Sequence, residues 1–158
     1  MSEIERQILE TWRIHNRVNL YLLDQLSEAA LQATLSKRGG RDVSRQWAHM
    51  YNLRVVRLTA FAKKQGVVLK EFDKGVSPTK AELTEAFAQS GAIMEQLIQH
   101  SLENDGKVSN FKRGLVPMLG YYITHEAHHR GNILLTLKQC GFTLTDAMRW
   151  GIWDWDKV

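Results

Sequence analysis

Apolar side chains recur every three to four residues over four long stretches of this chain, and only two prolines stand in its 158 residues. That rhythm constrains the fold more than any other feature, because residues so spaced share one face of an α-helix. The first stretch runs from about Glu3 to Leu26, with Ile4, Ile8, Trp12, His15, Leu22 and Leu26 on one face. The second starts at a cap on Asp42 or Ser44 and continues to about Lys64, before Gly66. Its expected inward face holds His49, Leu53, Val56 and Ala60. The third begins near Ser77 or Thr79, where Thr79-Lys80-Ala81-Glu82 reads as a capping box, and its buried side takes Leu83, Phe87, Met94, Leu97 and Ile98. The fourth runs from about Gly114 to Gln139, with Pro117 in the first turn, where a missing N–H is harmless.

Residues 66–78 break the rhythm, with Val67, Val68, Gly75 and Pro78. Such a segment can span a bundle without being helical. Asn104-Asp105-Gly106-Lys107 is a plain turn. The layout predicts an all-α fold: a four-helix bundle with one long crossover between its second and third helices. The length suits one domain over residues 1–158. Hydrophobic residues at 44% and charged residues at 24% argue for a packed globule over a disordered chain.

The formal charge is +4, and the cations do not gather on one face. Lys37, Arg38, Arg41 and Arg45 fall together, as do Lys63, Lys64 and Lys70, at helix ends or loops where cations suit the helix dipole. Nucleic acid is therefore not the expected partner. No apolar run approaches the roughly 20 residues of a membrane span, and the first residues lack an apolar signal core. Cys140, the only cysteine, forms no intrachain disulfide and reads as a packing residue. A cytoplasmic location is expected.

The chemistry concentrates in His125-Glu126-Ala127-His128-His129. On a helix, His125 and His129 stack one turn apart, and two neutral imidazoles so placed can hold one metal ion. Met118, Tyr122, His125, His129, Asn132 and Thr136 form a stripe that needs polar partners if buried. A solvent-exposed polar stripe is the alternative. His49 on the second helix offers a third ligand, leaving a coordination position open. His15 and Asn19 lie on the inward face of the first helix and, with Tyr122 and Asn132, are expected to line a substrate pocket. His128 belongs at a rim, and His100 receives no function.

The same run satisfies the His-Glu-x-x-His pattern of zinc proteases, whose glutamate is a general base. The longer protease pattern is broken by Asn132 and Leu135, and no sheet is expected beside the helix. Glu126 is then either a base near the ion or a surface glutamate.

Two segments carry a resemblance. Trp47-Ala48-His49-Met50-Tyr51-Asn52-Leu53-Arg54 resembles the first histidine segment of DinB-like and YfiT-like proteins, and His125 to Ile133 resembles the second. The resemblance implies a four-helix bundle that binds a divalent metal, zinc or nickel among others, through His49, His125 and His129. It implies small-molecule chemistry, because characterised relatives include thiol transferases using bacillithiol or mycothiol and a maleylpyruvate isomerase. Homodimers are frequent among them. Asn132 stands where many members have glutamine. Trp153-Asp154-Trp155-Asp156 resembles the tail of some relatives and is expected to act as a packing latch or dimer contact.

The expected function is a metal-dependent thiol S-transferase or hydrolase, in which the ion lowers the pKa of a bound thiol or water. The alternative is a non-catalytic, stress-linked binding bundle holding metal loosely or not at all.

Overall fold

The computed structural model describes residues 1–158. It contains helices and no strand. Helix α1 spans Glu3–Asp24, α2 Glu28–Leu31, α3 Val43–Lys64, α4 Lys80–Leu102, α5 Leu115–Gln139 and α6 Asp146–Trp150, followed by a 3-10 turn over Gly151–Trp153. No helix is long and apolar enough to cross a membrane.

Local chemistry sets the boundaries. Ser2 and Glu5 form a capping box at α1, and Thr79 and Glu82 form another at α4. Asp42 caps α3 by accepting from the Arg45 N–H at 2.7 Å. Each cap satisfies an N–H that the helix leaves orphaned, a contribution of about 1 kcal/mol. Helix α5 starts differently. Gly114 has φ 87° and no side chain to cap with, and a Cβ there would stand 3.1 Å from the Gly106 carbonyl. The Leu115 N–H donates to that carbonyl instead, at 2.9 Å.

The four long helices share one core, a continuous cluster of 31 buried apolar residues. Burying a Leu or Phe side chain contributes roughly 1.5–3 kcal/mol, so this cluster supplies most of the driving force. Leu83, Phe87, Met94, Leu97 and Ile98 of α4 are all inside it. On α1, Trp12, His15 and Leu22 are buried, as is Leu26 just past its end, while Ile4, in the first turn, is 62% exposed.

Helix α3 is rotated from the sequence reading. Val56 and Ala60 face solvent and Leu53 is half-buried. The buried face is Trp47, Met50, Tyr51, Arg54, Val55, Leu58 and Ala62. Trp47 packs edge-on against Phe87 of α4 with centroids 5.2 Å apart. The rotation has a cause in the fold: an arginine is accommodated inside, as described below.

The segment between α3 and α4 is tied down along its length. Asn52 donates to the Phe72 carbonyl and accepts from the Phe72 N–H, both at 2.9 Å. Near its end, Ser77 Oγ donates to Asp42 Oδ2 at 2.6 Å, so α4 starts beside the start of α3. Two short elements were not anticipated: α2, capped by Ser27, and α6, capped by Thr145. Both are too short for a periodic signal.

Candidate metal centre

Helix α3 carries His49, and α5 carries His125 and His129 on successive turns. The structure brings the three together, with one nitrogen from each ring lying within 4.8 Å of the others. His125 Nε2 and His129 Nε2 are 3.1 Å apart. Ring centroids are 5.4 Å apart for His49 and His125, and 4.8 Å for His49 and His129. Two imidazoles on one tetrahedral ion at about 2.1 Å stand about 3.4 Å apart. The closer pair is already near this, and a separation of 4.8 Å closes to it with about 1.4 Å of movement shared between two rings.

The electrostatics suit a cation. Burial lowers the pKa of His49, with help from Arg41 and His125. Burial also lowers His125, against the pull of Glu126. His129 is pushed down to about 4, first by burial and then by His125, His49, His128 and Arg41. All three rings are therefore neutral at pH 7, the state that donates a lone pair to metal. His125 Nδ1 is buried without a hydrogen-bond partner, and its Nε2 faces another ring nitrogen. A metal ion in the cluster would take up lone pairs that otherwise confront each other. Tyr121 lies nearly parallel to His125, at an interplanar angle of 11° with ring centroids 6.1 Å apart.

Behind the imidazoles lies a buried ion pair. Arg54 of α3 donates Nε to Glu126 Oε1 and Nη2 to Oε2, both at 2.7 Å. Both side chains are fully buried. Oε2 also accepts from His15 Nε2 at 2.8 Å and Asn19 Nδ2 at 2.6 Å. Arg54 Nη1 reaches Asn16 Oδ1 at 2.8 Å and Ser90 Oγ at 3.2 Å. The guanidinium lies 4.9 Å from the Trp12 ring and 4.5 Å from the Phe87 ring. Burial alone would raise the Glu126 carboxyl. The charge and hydrogen bonds of Arg54, then those of His15, outweigh it and hold the group far below the carboxylate range. His15 has a lowered pKa because burial outweighs the pull of Glu126, so it stays neutral and donates Nε2–H.

This corrects the reading of Glu126 as a base beside the ion. It sits about 100° around α5 from His125, and four donors occupy its oxygens. The expected pocket of His15, Asn19, Tyr122 and Asn132 is not one cavity either. Asn19 and Tyr122 are 0% exposed, and His15 is consumed by Glu126. Asn132 is outside, 3.0 Å from His128 Nε2. Burial raises the Tyr122 phenol, and its hydroxyl has no partner.

The sequence reading missed Arg54, Asn16 and Ser90 altogether. A signal existed: Arg54 stands one turn from Met50 and Leu58, and Glu126 recurs with Leu119, Tyr122 and Ile133. Opposite charges in two apolar ladders point to a buried pair.

An open groove of about 890 Å³ adjoins the cluster. His49 lines it together with Arg41, Arg45, Asn52 and Phe72. A model of the DinB family matches residues 1–149. The chain belongs to the DinB family. No curated protein and no solved structure matches it. The DinB match spans both histidine-bearing helices and α1, which supplies His15 and Asn19 to the network around Glu126.

Proposed function

We propose that this DinB protein is a divalent-metal-dependent enzyme acting on a small molecule in the groove beside His49. The observation that carries it is the convergence of three neutral imidazoles from two helices, with one nitrogen of each inside 4.8 Å. Zinc or nickel suits imidazole ligands at this count. The ion would supply Lewis acidity and lower the pKa of a bound thiol or water.

The chain's own residues do the rest. His49, His125 and His129 hold the ion and leave a position free for substrate. The Arg54–Glu126 pair joins α3 to α5 one residue from His125, and so fixes the register of the ligands. That fits our reading of the four long helices as a bundle whose α3–α4 connection crosses from one end to the other. Asn52 and Phe72 hold this connection as one wall of the groove.

Thiol transfer is favoured over hydrolysis. A thiol ionises near pH 8.5 unaided, whereas bulk water needs a shift of roughly 9 units to ionise at neutrality. With Glu126 withdrawn, the residue first in line to deprotonate water is committed elsewhere. The substrates are then a low-molecular-weight thiol and an electrophile.

The test is metal content of protein purified without chelator, in wild type, His49→Ala and His129→Ala. One ion per chain in wild type and a loss of at least tenfold in affinity in both variants are expected. Substoichiometric metal, unchanged by either substitution, overturns the reading. Assays pairing a thiol with an electrophile, run beside chromogenic esters, then decide between the two reactions.

A further inference from the structure

Arg130 follows His129 directly but faces elsewhere. It shares a face of α5 with Ile123, about 100° around the helix from His129 and about 140° from His125. There it lines a second, smaller cleft of about 80 Å³ between α1, α5 and the C-terminal turn. Ile14, Val18, Ile123 and Ile152 line the cleft, and Trp153 and Trp155 stand with them. Gly151 brings that turn against α1, where a Cβ would stand 2.2 Å from the Tyr21 hydroxyl.

The charge in this region does not balance. Arg54 pairs directly with the one carboxylate, Glu126, whereas Arg130 is linked to it only through Asn19. The oxygens of Glu126 go to Arg54, His15 and Asn19, so Arg130 has no ion pair. Its hydrogen bond is Nη1 to Asn19 Oδ1 at 2.6 Å. The remaining N–H donors have no partner within the protein and are not sealed from solvent, so an anion entering the cleft can reach them. The surrounding wall is apolar and aromatic, suited to a flat hydrocarbon body.

We propose that the cleft walled by Trp153, Trp155 and Ile152, with Arg130 at its base, binds a small aromatic monocarboxylate. The carboxylate would take the free N–H groups of Arg130, a charge-assisted contact that a neutral group cannot reproduce. The ring would lie against the indoles. A peptide terminus suits the cleft less well, because the Thr11 hydroxyl, its other polar side chain besides His15, already donates to the Gln7 carbonyl. The site stands apart from the metal reading and survives its failure.

Sodium benzoate is the probe, with benzyl alcohol as its uncharged counterpart. Each is titrated into ¹⁵N-labelled full-length protein while the indole N–H signals are followed. Saturable shifts at Trp153 and Trp155 are expected, with benzoate at least tenfold tighter than the alcohol. Arg130→Gln should remove that preference. Trp153 is 69% exposed, so Trp153→Ala leaves the core intact and should weaken benzoate several-fold. Equal affinity for the two probes, no saturation, or benzoate binding unaltered in Trp153→Ala overturns the proposal, whether or not Arg130→Gln folds.

Discussion

At the scale of single residues, Arg54 and Glu126 govern more than the histidines do. Each is fully buried, so removing one strands the other. Arg54→Met leaves a buried carboxylate with no paired cation, its Oε1 without a donor and only His15 and Asn19 on Oε2, and such single deletions cost about 3–5 kcal/mol. Replacing both, Arg54→Met with Glu126→Leu, removes the stranded charge and should recover most of that loss. Urea unfolding of the two single variants and the double variant measures the coupling. A cost below about 1 kcal/mol for Arg54→Met would mean that the pair contributes little beyond packing. The residues were unequally legible for a related reason. His125 and His129 announce themselves by spacing on one helix. Arg54 and Glu126 lie 72 positions apart and become a pair only through folding.

Among whole elements, α3 is the one whose buried face departs from the sequence reading of His49, Leu53, Val56 and Ala60: Val56 is 60% exposed, and Arg54 is inside. Helix α4 has no buried charge, and its face was read correctly residue by residue. The junction of α1 with α4 shows how closely these elements fit. Trp12 Nε1 donates to the Gly91 carbonyl at 3.0 Å, and a Cβ on Gly91 would lie 2.2 Å from Asn16 Nδ2. Asn16 is also a partner of Arg54. Gly91→Ala therefore displaces Asn16 from Arg54 as well as crowding α1. Overpacking of this kind costs roughly 1–3 kcal/mol, to be read as a lower urea midpoint with an unchanged slope. Glycine is otherwise a poor helix former, by about 1 kcal/mol relative to alanine. A gain in stability in Gly91→Ala would show that the propensity term wins and that Asn16 moves freely.

Over the whole molecule, the lowered histidine pKa values make stability depend on pH. His15, His49, His125 and His129 all titrate lower in the fold than the usual 6.5, and His129 reaches about 4. Between those limits the unfolded chain binds more protons than the native one, so stability rises with pH. The contribution is complete above about 6.5 and is lost as pH falls toward 4. Glu126, held below its usual range, adds its own loss below about 4.5. The metal-free protein should therefore lose about 1–3 kcal/mol between pH 7.5 and pH 5, before ordinary carboxylates titrate. A profile flat to pH 5 would mean that the histidines are solvated alike in both states. An ion changes this dependence in a defined way. It binds the neutral rings of the native state and competes with their protons. Zinc or nickel at 100 times its dissociation constant should raise stability at pH 7.5 by about 2.7 kcal/mol. The increment should shrink toward pH 5 and disappear in His129→Ala at every pH. His15→Gln removes a buried histidine outside the cluster, so it should flatten the metal-free profile while leaving the metal increment in place. If His15→Gln abolishes the increment as well, the network around Glu126 and the three imidazoles act as one unit, and the ion is held by the register of α1, α3 and α5 as much as by its ligands.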